Sequence, residues 1–223
     1  MKKAFILLVV TILLNINGFA QQVNQYVKIE TPQGWCIVML YNQTPVHRDN
    51  FIRLVKSGYL NKTTFNRILK NFVIQGGDQD SLYDKGRTLN ADQKWIAPEL
   101  DTTLFHKRGA VAMGRDDNPA QSSFTTQFYI VDGRKYTSGR LDTIEKRSNV
   151  HFSAAQRQAY TTIGGTPSLD QHYTVFGEIV KGIELIDKIT AVKVDKNGNP
   201  DMPVWMKITV LNSKQVAKVL AGK

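Results

Sequence analysis

The apolar residues of this chain come in short runs, and run length limits the folds open to it. Tyr26–Glu30 and Trp35–Tyr41 flank Thr31-Pro32-Gln33-Gly34, and Pro followed by Gly suits a tight turn between two strands. Thr64–Leu69, Phe72–Gln75, Ala110–Met113, Phe124–Val131, Tyr173–Ile179 and Val204–Leu211 are likewise strand-sized. Only two segments read as helices that feed a core. Thr44 as N-cap and Pro45 at the first helical position open one; Val46, Phe51, Leu54 and Val55 share its face, and Gly58 ends it. The other is Ile183–Ile189, with Ile183, Leu185, Ile186 and Ile189 turned inward. Many short strands with two core helices predict a mainly β fold, a barrel or sandwich capped by helices. The 223 residues suit one domain or a tight pair, with a core that needs no metal or disulfide staple.

Residues 1–20 stand apart from this pattern. Met1-Lys2-Lys3 is basic, Ala4–Leu14 is apolar except for Thr11, and Gly18-Phe19-Ala20 offers small residues where a signal peptidase cuts. The apolar run is about half the ~20 residues that a membrane span requires. The expectation is a cleaved signal peptide, an exported protein (periplasmic or extracellular) with no stable membrane anchor after cleavage, and a domain over 21–223. The net charge of +10 attracts acidic surfaces, but the basic residues are spread out and form no nucleic-acid motif. No nucleic-acid partner is expected. Cys36 is the single cysteine, so no intrachain disulfide can form, and its apolar neighbours predict a buried, inert thiol.

Several constellations fail. His47, His106, His151 and His172 lack the spacing of a metal site. Asp195–Asp201 opens like a calcium loop, but Pro200 stands where the sharp-turn Gly belongs and Met206 where the bidentate Glu belongs. An Asn-Gly turn between strands is the better reading. No metal and no cofactor is expected.

One constellation holds. It runs Thr63-Thr64-Phe65-Asn66-Arg67-Ile68, then Asn71-Phe72-Val73-Ile74-Gln75-Gly76-Gly77-Asp78, then His106-Lys107-Arg108-Gly109-Ala110-Val111-Ala112-Met113. Thr126-Gln127-Phe128-Tyr129-Ile130, Leu169-Asp170 and Tyr173-Thr174-Val175-Phe176-Gly177 follow in order, and the helix Gly182–Ile189 ends the series. Taken together, from about Tyr26 to Leu211, these motifs resemble the cyclophilin-type peptidyl-prolyl cis-trans isomerases. The resemblance implies a closed eight-stranded antiparallel barrel with a helix over each end. It also implies an enzyme that rotates the peptide bond before proline in other polypeptides, here assisting the folding of exported proteins. The alternative from another class is a proline-peptide binding module or holdase chaperone with little turnover.

Site residues carry over motif by motif. Arg67 matches the catalytic arginine, and Gln75 the substrate-contacting glutamine beside it. Phe72, Val73, Tyr129, Leu169 and Tyr173 match the pocket for the proline ring. Val73 takes the place of a common Met, Tyr129 of a Phe at the floor, and Tyr173 of a frequent His. Met113, Gly114 and Arg115 are substrate-binding by the same matching, with Gly114-Arg115 in place of Ala-Asn, and Gln127 matches a second glutamine. Residues 131–168 replace a short loop of compact members. Within them Ser153 and Gln156 make a capping box, and Phe152, Ala155, Ala159, Tyr160 and Ile163 keep a helical spacing that Gly164-Gly165 stops. Leu141 and Ile144 suggest a shorter preceding helix. This hairpin is expected to pack on the barrel and wall one side of the pocket. The basic tail 212–223 is expected to be a peripheral helix or a frayed end.

Overall fold

The computed structural model describes residues 24–77, 95–148 and 150–222. The expected signal peptide and Asp78 lie outside them. In chain order the elements are β1 (Gln25–Thr31), β2 (Gly34–Leu40), α1 (Pro45–Lys56), β3 (Thr64–Leu69), β4 (Val73–Gly76), β5 (Trp95–Ile96), β6 (Ala110–Met113), β7 (Ser123–Phe124) and β8 (Phe128–Val131). Then come α2 (Ser138–Ser148), α3 (Ala154–Thr162), β9 (Val175–Lys181), α4 (Leu185–Thr190), β10 (Val204–Trp205), β11 (Lys207–Leu211) and α5 (Ser213–Ala221).

One antiparallel sheet runs β10-β3-β4-β8-β6-β9-β2-β1-β11. Its two outer members, β10 and β11, are consecutive pieces of one segment broken at Met206. The first piece pairs with β3 and the second with β1, so the last segment of the sheet closes it. Counted with β10 and β11 as one strand, the barrel has the expected eight. Closure removes the open strand edges that invite aggregation.

Alternation along the strands sorts the side chains into two clusters. Val27, Val38, Phe65, Ile74, Val111, Phe128, Ile130 and Phe176 point into the barrel. Phe51 of α1 and Leu185, Ile186 and Ile189 of α4 join that same cluster, which is how the two helices cap it. Phe51 sits 5.2 Å from both Phe128 and Phe176, ring centre to ring centre. The interior is thus filled with side chains, as small barrels are. Val73, Ala110, Ala112, Tyr129, Val131 and Val175 face the other way, with Phe72, Leu169 and Tyr173 packed on them. The packed interior leaves no room for a ligand, and this second cluster gives the outer face of the wall formed by β4, β8, β6 and β9 an apolar surface that can hold one.

The sequence expectations need four corrections. Phe124–Val131 is two strands, because Phe124 leaves the barrel to pair with Trp95 in a separate ribbon, their rings 5.0 Å apart. Thr44 holds the N-cap position of α1, but its hydroxyl makes no capping bond. The carboxylate of Glu99 does that work instead, accepting from the backbone N–H of Val46 (3.1 Å) and His47 (2.9 Å). A full negative charge at a helix N-terminus outcompetes a neutral hydroxyl. Val46 and Ile183, expected inside, are exposed, the first in the opening turn of α1 and the second in the approach to α4. In α3 the capping box forms as expected, but the buried face is Gln156 and Tyr160, while Ala155 and Ile163 are exposed. The tail is helical: Asn212 and Gln215 cap α5 reciprocally.

Candidate active site

The outer wall carries a cleft of about 150 Å³, lined by Arg67, Phe72, Val73, Gln75, Gly114, Arg115, Gln127, Tyr129, Leu169 and Tyr173. Drug-sized ligands occupy roughly 300–1,000 Å³, so this space suits a single small ring. Ten of the eleven residues expected at the site therefore meet in one place. Met113 does not join them. It is fully buried in the barrel interior, because its neighbours Ala112 and Gly114 take the outward side of the chain.

A β-bulge aims Arg67. Pairing between β3 and β4 shifts register between Phe65 and Arg67. Strict alternation would put Phe65 and Arg67 on one face, yet Phe65 and Ile68 both belong to the barrel interior. The extra residue, Asn66, lets both apolar side chains turn in and sends the guanidinium out. Gly76 lies opposite Phe65, where an added Cβ would come within 2.5 Å of the Thr64 carbonyl oxygen, so only glycine admits this close pairing. Gln75 is the direct partner of Arg67 in the ladder, and Arg67 Nη1 donates to Gln75 Oε1 at 3.4 Å. Two residues back, Val73 returns to the pocket side, and Tyr129 stands opposite Gln75 from β8.

The floor is held from beneath. Tyr129 lines the cleft, and its hydroxyl lies 2.9 Å from His106 Nε2. His106 Nδ1 lies 2.8 Å from Asp170 Oδ1, which also accepts from the His106 backbone N–H at 2.9 Å. Tyr160 donates its hydroxyl to the other oxygen, Oδ2, at 2.5 Å. A carboxylate can only accept, so Asp170 fixes the proton on Nδ1 and leaves Nε2 to accept from Tyr129. All four side chains are buried. Burial drives the Tyr129 phenol well above its usual pKa, and the neighbouring Tyr173 and Asp170 add to this, so Tyr129 is a neutral donor. A tyrosine is tolerated at the floor because its polar tip has a partner.

This relay also gives the hairpin α2–α3 its place. Gly133 (φ 63°) and Gly165 form its stalk, with reciprocal hydrogen bonds of 3.0 Å between Arg134 and Gly165. A Cβ on Gly133 would lie 2.4 Å from the Gly165 backbone. The add-on therefore runs from Gly133 to Gly165, since Val131 completes β8 and Leu169 already lines the cleft. Neither helix lines the cleft, which corrects the expectation of a side wall. The contact is indirect: Tyr160 of α3 reaches Asp170, and Asp170 reaches the floor through His106. Sequence reasoning missed His106, Asp170 and Tyr160 as supporting residues. The signal available was that His106 and Asp170 stand inside the ordered motifs; nothing local marks Tyr160.

Other features stay outside this chemistry. Burial, with the Glu184 charge adding to it, pushes the Cys36 thiol up to about 12, so it is inert as expected. Asp195 closes the Asn197-Gly198 turn by accepting from the Asn197 and Asn199 backbone, as a turn residue rather than a cation ligand. Among the described residues no group of three His, Cys, Asp or Glu side chains is placed to hold a metal.

The cleft chemistry is that of an apolar ring site with two guanidinium groups and two amides at its edge. Residues 26–211 match the family model for "Cyclophilin type peptidyl-prolyl cis-trans isomerase/CLD". A Staphylococcus aureus protein named "Putative peptidyl-prolyl cis-trans isomerase" is 29% identical over 186 residues, covering 83% of this chain and 90% of its own. Its namesake from Staphylococcus saprophyticus is 28% identical, covering 73% and 78%. The crystal structure of a Cryptosporidium parvum cyclophilin-type isomerase superposes with a TM-score of 0.63 at 22% identity, covering 86% of this chain and 99% of its own. A second crystal structure of that protein, obtained in the presence of the dipeptide Ala-Pro, gives 0.62, also at 22% identity, covering 85% and 100%. The ordered motifs, the closed barrel and the match over residues 26–211 place this chain in the cyclophilin-type peptidyl-prolyl cis-trans isomerase family.

Proposed function

We propose that the chain is exported, and that it rotates Xaa-Pro bonds in other exported polypeptides whose folding those bonds delay. The observation that carries this reading is Arg67, a guanidinium aimed by a bulge at the edge of an apolar, ring-sized cleft. Resonance holds a peptide bond planar behind a barrier of about 18–20 kcal/mol. Before proline the two planar forms lie close in energy, so only the barrier blocks exchange, over tens to hundreds of seconds. No bond need break.

The planar amide is dipolar. The twisted transition state loses resonance and returns a lone pair to nitrogen. Phe72, Val73, Tyr129, Leu169 and Tyr173 supply an apolar setting for the proline ring that favours the less polar twisted form. Arg67 donates to the emerging lone pair. A hydrogen bond from a charged donor contributes about 1.5–3 kcal/mol, which is one to two decades of rate. Gln75 and Gln127 hold the backbone on one side of the rotating bond while the other side turns. These contacts favour the twisted geometry over either planar one, as catalysis demands. Pure binding or holding has no use for Arg67, and this favours the enzyme over a passive module.

The test is refolding of a secreted client whose slow phase is a prolyl isomerisation, paired with fractionation of the expressing cell. The expected result is mature protein without residues 1–20 outside the cytoplasm and a client phase that quickens with added protein. Uncleaved protein retained in the cytoplasm, or a client phase that does not respond, would contradict the proposal.

A further inference from the structure

Two guanidinium groups line one cleft, those of Arg67 and Arg115. Their electrostatic setting differs from that of the other arginines with limited exposure. Arg48 pairs with Asp49, Arg108 with Asp132 and Asp187, and Arg157 with Asp142 and Glu145. Among the described residues, neither cleft arginine has a carboxylate partner, and no Asp or Glu lines the cleft.

Arg115 is nevertheless fixed in place. Its Nε donates to the His172 carbonyl at 2.7 Å and its Nη1 to the Asp116 carbonyl at 2.6 Å. Its guanidinium carbon stands 4.9 Å from the centre of the Tyr173 ring. Backbone carbonyls and a ring face orient a cation without cancelling its charge. The adjacent Asp116 turns its carboxylate to Asn118, Oδ1 accepting from Nδ2 at 2.8 Å, and makes no ion pair with Arg115. What results is a pre-oriented guanidinium, without a paired carboxylate among the described residues, stacked on a wall of the proline site.

We propose that Arg115 makes this an acid-selective cleft, one that takes proline segments carrying an Asp or Glu side chain one or two residues from the proline and pairs that carboxylate with Arg115. The inference rests on the reading of the cleft as a proline-ring site. Pre-orientation matters because a floppy surface arginine spends most of an ion pair's gain on its own ordering. A planar fork held on one edge offers its remaining donors to a carboxylate.

The test uses short peptides of one sequence with Glu, Gln or Lys placed in turn at each of the two positions before and the two positions after proline. Exchange efficiency is read at low salt and at high salt. The expected result is a position at which Glu exceeds Gln by about two- to fivefold, Lys falls below Gln, and salt compresses the spread. Arg115→Gln should bring the Glu-to-Gln ratio close to one, and Arg115→Lys should restore part of it. Equal rates for Glu and Gln at all four positions would overturn the proposal alone, as would a preference that survives Arg115→Gln. Failure to turn over any peptide, neutral ones included, would overturn the proline-site reading and the proposal with it. The salt series on the unmodified protein decides the matter even if a variant fails to fold.

Discussion

The strand register brings Arg67, Gln75 and Tyr129, which motif order places, to one face of the wall. Met113 ends another motif of the same series but faces the interior, since motif matching does not see which side of a strand a residue takes. His47 was legible only as one of four scattered histidines. It is fully buried between Glu99 Oε2 (2.6 Å) and Ser123 Oγ (3.0 Å), locking the start of α1 to the β5–β7 ribbon. Burial lowers its pKa and outweighs the raising influence of Glu99. In the unfolded chain the ring takes up a proton near pH 6.5; in the folded protein it does so only at lower pH. Unfolded protein therefore binds more protons just below that point, and stability falls as pH drops through it. Urea unfolding between pH 7.5 and 5 should show stability falling by up to about 1.4 kcal/mol per pH unit from this group. His47→Gln should flatten that portion of the slope; an unchanged slope would assign it to other groups.

Secondary elements were legible to the extent that apolar spacing is local. The hairpin of β1 and β2 around Pro32 and Gln33 follows from turn chemistry, and its register runs unbroken from Gln25–Leu40 to Thr31–Gly34. The bulge at Asn66 was not legible, because it results from two apolar residues three apart both needing the interior. The hairpin α2–α3 was legible as a unit, from its capping box and glycine stop, but not in its attachment. Its small core of Leu141, Phe152 and Tyr160 takes Phe105 from the barrel side, with the Phe105 and Tyr160 rings 5.6 Å apart. Tyr160 then spends its hydroxyl on Asp170. Tyr160→Phe keeps the ring packing and strips one donor from a buried carboxylate. That should cost about 1–3 kcal/mol, measured as a lower urea midpoint with unchanged slope. It should also slow exchange on short peptides, because Asp170 orients His106 beneath Tyr129. A loss of stability with an untouched exchange rate would make the hairpin a passive elaboration.

At the scale of the whole molecule, the closed barrel separates two tasks. Its interior is packed and capped by α1 and α4, so it supplies rigidity. Its outer wall is free to carry chemistry, and the cleft is assembled from β3, β4 and β8, the loop after β6 and the turn before β9. That division explains why the reaction class could be read from ordered motifs while the supporting relay could not: the relay joins residues that are 10, 23 and 64 positions apart through contacts that only the folded wall creates. The central claim is that Arg67 supplies transition-state charge and does not merely hold the fold. Its most direct test is the cis-trans exchange rate of a short Xaa-Pro peptide, measured by NMR with the unmodified protein and with Arg67→Ala side by side. Rapid exchange is expected with the first, at least a tenfold loss with the second, and matching unfolding midpoints for the two. Near-native exchange with Arg67→Ala, or its outright unfolding, would contradict that assignment.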